Sequence, residues 1–96
     1  MSVEKIRREV TDNKGRYVLD HGNGISELTY SILSPQTVIA DHTEVAAGHE
    51  GTGVGLQLLE ALLADARAEG FKIVPLCPFV NAQRRKHPDW ADLFRV

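Results

Sequence analysis

Hydrophobic residues in the first half of the chain occur in short runs rich in Val, Ile, Tyr and Thr, with polar segments between them. Runs of this composition are typical of β-strands. They predict four strands, at about residues 3–10, 16–20, 25–33 and 37–45. The intervening segments are short enough to join adjacent antiparallel strands, and they lie at residues 13–15, 21–24 and 34–36. The pattern therefore predicts an antiparallel meander of four strands.

The second half of the chain changes to a helical period. Apolar residues recur every fourth position at Val54, Leu58, Leu62 and Ala66, which predicts an amphipathic helix whose apolar stripe covers the sheet. Gly70 follows the last of these residues and is expected to end the helix as a left-handed cap.

A fifth strand at residues 71–76, a short helix at about residues 81–86 and a tail that packs through Trp90 and Phe94 are expected after this helix. A strand, helix and strand in succession form a right-handed crossover, so the fifth strand should lie parallel to the fourth. Pro75 cannot donate a hydrogen bond to a neighbouring strand. Either the two strands separate there and open a slot, or Pro75 lies on a sheet edge.

Four of the eight glycines lie within eight residues, at Gly48, Gly51, Gly53 and Gly55, between the fourth strand and the helix. The free N–H groups and the dipole of a helix N-terminus bind phosphate. Two common phosphate motifs are absent. Leu56 stands where a dinucleotide fingerprint needs Gly or Ala, and a P-loop would need Lys after Gly53.

Composition narrows the class of protein further. The 96 residues are expected to form one domain, residues 1–96, and 43% of them are hydrophobic. The net charge of -2, with Lys and Arg scattered, argues against nucleic acid and membrane surfaces as partners. No apolar run has the length of a signal peptide or membrane span, so a cytoplasmic protein is expected. The single cysteine, Cys77, can form neither an internal disulfide nor, alone, a thiolate metal site.

Three sequence blocks carry a resemblance to a known family. The run EGTGVG with the helix after it resembles the acetyl-CoA-binding segment of the GNAT superfamily of N-acetyltransferases. HTEV, PLCPFV and RKHPDW in that order are similar to a family of very small GNAT-like acetyltransferases. The resemblance spans about residues 16–94. It implies a single α/β (α+β) domain with a mixed, splayed sheet, acetyl-CoA as co-substrate, an amine acceptor, and no metal.

The same resemblance implies which residues bind coenzyme A. The pyrophosphate contacts should come from Gly51, Thr52, Gly53, Val54 and Gly55, and the pantetheine arm should lie beside Glu44 and Val45. One position departs from the family signature, because Glu50 stands where Gln or Arg is usual. A carboxylate there is unfavourable beside a pyrophosphate unless it points away.

Acetyl transfer needs a base, donors to an oxyanion and a proton for the leaving thiolate. His42 and Glu44 are two residues apart on a strand, so they share a face about 7 Å apart and either could be the base. The alternative for both is an ordinary polar strand face. Cys77 could donate a proton to the thiolate, accept acetyl transiently, or be a small buried core residue.

Asn81 has two interpretations, a cap at the start of the last helix or a contact to the cofactor or acceptor. Arg84 and Arg85 could likewise complement the end of that helix or bind the 3′-phosphate of coenzyme A.

The function predicted is transfer of acetyl to an unidentified amine, and the alternative is a non-catalytic acyl-CoA-binding module. Only a turn separates residues 10 and 16, where usual GNAT domains carry helices. The acceptor side should therefore be open, in a monomer or a homodimer.

Overall fold

A five-stranded sheet with a long helix on one face makes up most of the computed structural model, which describes residues 6–96. The strands are β1 (Arg7–Thr11), β2 (Lys14–Asp20), β3 (Ile25–Ser34), β4 (Thr37–Glu44) and β5 (Lys72–Pro75). The helices are α1 (Val54–Glu69), α2 (Pro78–Lys86) and a 3₁₀-helix (Pro88–Leu93). Part of the first predicted strand, residues 3–5, lies outside the described residues.

The strand order is β1-β2-β3-β4-β5, with the first four antiparallel and β5 parallel to β4. The predicted meander and the predicted parallel fifth strand are therefore confirmed. Helix α1 makes the crossover and packs on β2 and β3. Its apolar stripe is buried, and it ends at Gly70, whose φ of 82° is that of the predicted left-handed cap.

A β-bulge interrupts the pairing of β3 with β4. Thr29 pairs with His42 and the next residue, Tyr30, pairs with Ala40, which leaves Asp41 as the extra residue. Such bulges re-aim side chains and are common beside active sites. The Asp41 carboxylate accepts a hydrogen bond from Ser31 Oγ at 2.7 Å, so Asp41 and His42 both lie on the face away from α1. We call this the open face.

The first hairpin differs from the prediction at Gly15. The turn residues are Asp12 and Asn13, with Asp12 in the left-handed region at φ 55°, a conformation that Asp tolerates. Gly15 belongs to β2 and pairs with Tyr30, and a Cβ there would overlap the Tyr30 ring. The glycine is required for close packing under an aromatic ring, so its assignment to the turn was wrong.

The C-terminal segment begins its helix three residues earlier than predicted. Cys77 is the N-cap residue of α2 and Pro78 is its first residue, a position that proline favours because its missing N–H is not needed there. The interpretation of Asn81 as the cap is therefore wrong. Trp90 and Phe94 are buried in the core, which confirms the predicted packing of the tail.

A polar network ties the first strands to α1. Arg8 donates to Tyr30 Oη at 2.9 Å and to Glu69 at 2.6 Å, and Tyr17 Oη donates to Asp65 at 2.8 Å. Burial, and then the hydrogen bond to Asp65, raises the pKa of Tyr17. The hydrogen bond to Glu69 raises the pKa of Arg8 and lowers that of Glu69. These bonds fix the register between the sheet and the helix whose N-terminus faces the candidate site.

Candidate functional site

The glycine loop, residues 45–53, leads from β4 into α1. Gly53 is the N-cap residue of α1 with φ 87°, and Gly51 has φ 78°. A side chain at Gly53 would be strained in this left-handed conformation, so glycine is needed for the sharp approach of the chain to the helix axis. The amides at the start of α1, from Val54 to Leu56, have no carbonyl partner within the helix, and no acidic residue lies in its first turn. They are available to an anion.

Bonds within the loop use some of its other donors. The carbonyl of His49 accepts the Thr52 amide at 3.3 Å and also the Thr52 hydroxyl. The carboxylate of Glu50 accepts the Gly48 amide at 3.0 Å. The Glu50 side chain therefore forms its hydrogen bond within its own loop. The Thr52 amide already has a partner, so its predicted contact with pyrophosphate competes with a bond inside the loop.

Two imidazole rings support the loop from the side. His21, in the turn between β2 and β3, stacks on His49 with centroids 3.7 Å apart. His21 Nε2 also lies 2.8 Å from Ser26 Oγ, a fully buried hydroxyl that accepts the Ala46 amide at 2.9 Å. This contact joins the start of the loop to the neighbouring hairpin. Neither histidine was given a role from the sequence, because their meeting depends on the tertiary fold.

Strands β4 and β5 separate before the end of β4, and we call the gap between them the slot. Their last paired residues are Ala40 and Pro75, and β4 continues to Glu44 without a strand partner on that side. The chain leaves β5 at Pro75 and turns into α2, and the Cys77 amide donates to the Ala40 carbonyl at 2.8 Å. Both alternatives left open at Pro75 hold, because the strands separate there and β5 is the edge strand of the sheet. The free edge of β4 from Asp41 onward forms one wall of the slot.

The N-termini of the two helices meet beside the slot. A Cβ placed on Gly55 would lie 3.0 Å from the ring of Phe79, in the first turn of α2. Gly55 is buried and has ordinary helical geometry, so it allows this close packing of α1 on α2. The positive ends of two helix dipoles therefore converge, which favours a negatively charged ligand.

The three candidate catalytic residues lie on two sides of the sheet. His42 and Glu44 pair with Thr29 and Glu27, and both side chains are exposed on the open face, as predicted for residues two apart. Cys77 is 2% exposed and is part of the hydrophobic core. Its Sγ lies 3.3 Å from the hydroxyl of Thr43, which comes between the other two on β4 and points to the opposite face.

Asn81, Arg84 and Arg85 all lie on α2. Asn81 Oδ1 accepts Arg84 Nε at 2.8 Å, so these two side chains bind each other. Both arginines are in the last turn, at the other end of the helix from Phe79. They line a cavity of about 260 Å³ together with Phe94. The structure does not place the two arginines at the glycine loop, and their contact with a 3′-phosphate stays a prediction.

Two further observations concern the described residues. Between residues 6 and 96, no three His, Cys, Asp or Glu side chains come close enough to share a metal ion. None of the helices in this part of the chain has the length and hydropathy needed to cross a membrane.

Three further features of the site were not predicted from the sequence. The bulge at Asp41 leaves no mark in the composition of β4. The Thr43–Cys77 contact joins residues 34 positions apart. The helical start at Pro78 did carry a signal, since proline favours the first position of a helix.

The chain is similar to known proteins over most of its length. A family model described as GCN5-related N-acetyl-transferase matches residues 16–93. Among solved structures, the chain is similar to the solution NMR structure of a GCN5-like protein from Staphylococcus aureus, for which N-acetyltransferase activity is proposed. The two are 30% identical with a TM-score of 0.71, and the match covers 99% of this chain and 91% of that chain. None of the curated proteins matches the sequence.

Proposed function

The chain belongs to the GCN5-related N-acetyltransferase family, and on that premise we propose that it binds acetyl-CoA and transfers the acetyl group to an amine by direct attack on the thioester. The observation that carries the proposal is the slot beside the glycine loop. Free amides at the start of α1 and an unpaired edge of β4 meet there. A phosphate group with an extended amide-containing arm, which coenzyme A provides, complements both.

The pyrophosphate is assigned to the loop and helix amides from Gly51 to Gly55. Backbone donors and the two helix dipoles supply the attraction, because no Lys or Arg lies between residues 45 and 56. The pantetheine arm is assigned to the free edge of β4, beside Glu44 and Val45. There its amides can pair with the backbone as an additional strand would.

The catalytic roles are assigned to groups on both faces of the sheet at β4. His42 or Glu44 takes a proton from the attacking amine on the open face, directly or through water. A backbone amide near Val45 donates to the oxyanion. Cys77, on the other side with Thr43, is the candidate to protonate the departing thiolate or to hold the acetyl group transiently. The Thr43 hydroxyl lies 3.3 Å from Sγ and can orient that thiol by a hydrogen bond.

One observation favours a second function, acyl-CoA binding without turnover. The Glu50 carboxylate occupies the Gly48 amide and puts a negative charge in the loop that should receive the phosphates. A weakened anion site would suit a module that has kept the fold and lost efficient chemistry. Under this alternative the chain binds acetyl-CoA but releases no coenzyme A in the presence of amines.

Calorimetry with acetyl-CoA and an assay of released coenzyme A against an amine library separate these functions. The proposal predicts saturable binding and amine-dependent release. Replacing the base by H42Q or E44Q should lower kcat by about 10²–10⁴-fold for the residue that acts as the base, with the Kd for acetyl-CoA unchanged. Binding without release would support the module, and the absence of binding would contradict both functions.

A further inference from the structure

A shallow cavity of about 400 Å³ lies on the open face, away from the glycine loop. Charged side chains of both signs line it: Glu9 from β1, Lys14 and Arg16 from β2, and Asp41 from β4. The volume is within the range of small-molecule sites.

The cavity adjoins the candidate base. Thr29 lines it and is the pairing partner of His42, and Asp41 is the residue before His42. The bulge places Asp41 and His42 on the same face instead of opposite faces. A small molecule bound there therefore lies next to the base, on the side of β4 from which an acceptor would approach.

The two basic residues of the cavity differ in how firmly they are held. Arg16 is bonded to Glu9 at 2.8 Å and to Glu27 at 2.7 Å, so its charge is already matched. Lys14 lies 3.6 Å from Asp41, and its side chain is 67% exposed. The Ser31 hydroxyl accepts Lys14 Nζ at 2.8 Å and donates to Asp41 at 2.7 Å. Lys14 and Asp41 are therefore held side by side in a loose pair that can open toward a ligand.

We propose that this cavity binds the acetyl acceptor and that the acceptor is a free α-amino acid. Its carboxylate pairs with Lys14 and its ammonium group with Asp41, so that one loose ion pair is exchanged for two. The adjacent charges of an α-amino acid suit two protein groups that lie next to each other. A diamine would bring a second positive charge toward Lys14, and a simple carboxylate would be repelled by Asp41.

This inference rests on the proposed function. The bound ammonium group loses one proton to His42 or Glu44 and becomes a nucleophile. Its nitrogen forms a bond to the thioester carbonyl carbon, and the carbon–sulfur bond breaks. The nitrogen gives up a second proton and the departing sulfur takes one up. The products are an N-acetyl amino acid, coenzyme A and one proton released to solvent.

The test compares matched acceptors that differ only by the carboxylate. Coenzyme A release by the full chain is measured with the common α-amino acids and with their decarboxylated amines, for example L-lysine against 1,5-diaminopentane and L-leucine against isoamylamine. At least tenfold higher kcat/KM for one or more amino acids over the matched amine is expected. Equal or faster release with the amines would overturn the inference and leave the acetyltransferase function intact. No release with any acceptor would contradict both.

Variants of the loose ion pair provide the second arm. K14Q should remove the preference for the amino acid over its matched amine, and D41N should raise the KM for the amino acid at least tenfold. K14Q should leave the KM for acetyl-CoA unchanged. D92N makes the same charge change as D41N at an exposed position of the 3₁₀-helix and serves as the control. An unchanged preference in K14Q would assign the acceptor to another part of the open face.

Discussion

Gly15 shows that one missing side chain can decide how the sheet packs. The residue lies in β2 opposite Tyr30, and the Tyr30 ring fills the space where a Cβ would stand. Tyr30 is fully buried and its hydroxyl accepts Arg8, so the ring cannot move without loss of that bond. Close packing of this kind tolerates little added volume.

G15A should therefore lower the free energy of unfolding by about 1–3 kcal/mol, as expected for overpacking. Urea unfolding of the two proteins measures this loss. Combining G15A with Y30L should cost less than the sum of the single changes, because the overlap is removed in the double variant. Additive losses would show that the ring is not the cause.

Arg8 and Glu69 connect β1 to the last turn of α1, and their contribution to stability depends on pH. Because the hydrogen bond from Arg8 lowers the pKa of Glu69 in the folded protein, this stabilisation is present above the pKa of Glu69 in the unfolded chain. This stabilisation is lost as the pH falls through the lowered pKa of Glu69 in the folded protein. E69Q should destabilise by ~0.5 kcal/mol at pH 7, as is common for an exposed pair.

Thermal unfolding at pH 7 and near pH 3 tests the assignment. The difference in melting temperature between wild type and E69Q should shrink toward zero at the lower pH. E60Q changes an exposed carboxylate on the same helix that has no hydrogen-bonding partner in the described chain, and it should show no such pH dependence. A difference for E69Q that persists at pH 3 would mean that packing, not charge, is responsible.

Cys77 allows a direct test of covalent transfer. If its thiolate accepts acetyl, incubation with acetyl-CoA without an amine should add one acetyl group to the protein, seen by mass spectrometry, and C77S should remain unmodified. T43V removes the hydroxyl beside Sγ and should slow the labelling. Full turnover by an unlabelled wild type would restrict Cys77 to proton donation or packing.

At the scale of elements, the glycine loop combines favourable and unfavourable features for an anion. The amides at the start of α1 are free, and the N-terminus of α2 adds a second dipole through the contact of Gly55 with Phe79. Against these, Glu50 places a carboxylate on the Gly48 amide. Releasing this amide and reversing the local charge should both improve phosphate binding.

E50R should accordingly tighten acetyl-CoA binding severalfold in calorimetry, with a larger gain at low salt than at high salt. E60R makes the same charge change on α1, outside the loop, and controls for the net charge of the protein. Equal affinities of wild type and E50R would show that the loop backbone alone determines binding.

Across the whole molecule, the prediction from sequence succeeded where the signal was local. Strand composition and the four-residue period of α1 were enough to predict the meander and the crossover, whereas Pro75 left both a splay and a sheet edge open. Composition does not reveal that Asp41 is an extra residue in β4, because the bulge depends on pairing with β3. For the same reason the sequence did not show that Cys77 and Glu44 belong to opposite faces.

The two faces of the sheet differ across the whole molecule. Helix α1 covers the face that carries Tyr17 and Tyr30, while the charged cavity around Asp41 lies on the other face. The coenzyme and the acceptor would therefore reach β4 from different directions and meet at its end. This separation makes the two binding sites independently testable.

Amide NMR of the isotope-labelled full chain during titration with acetyl-CoA tests the central claim most directly, that the slot beside the glycine loop is the coenzyme A site. The account predicts that the largest shifts occur at residues 51–56 and 41–45, and that ADP reproduces those of the loop alone. Absence of shifts, or shifts confined to the cavity beside Arg84 and Phe94, would contradict it.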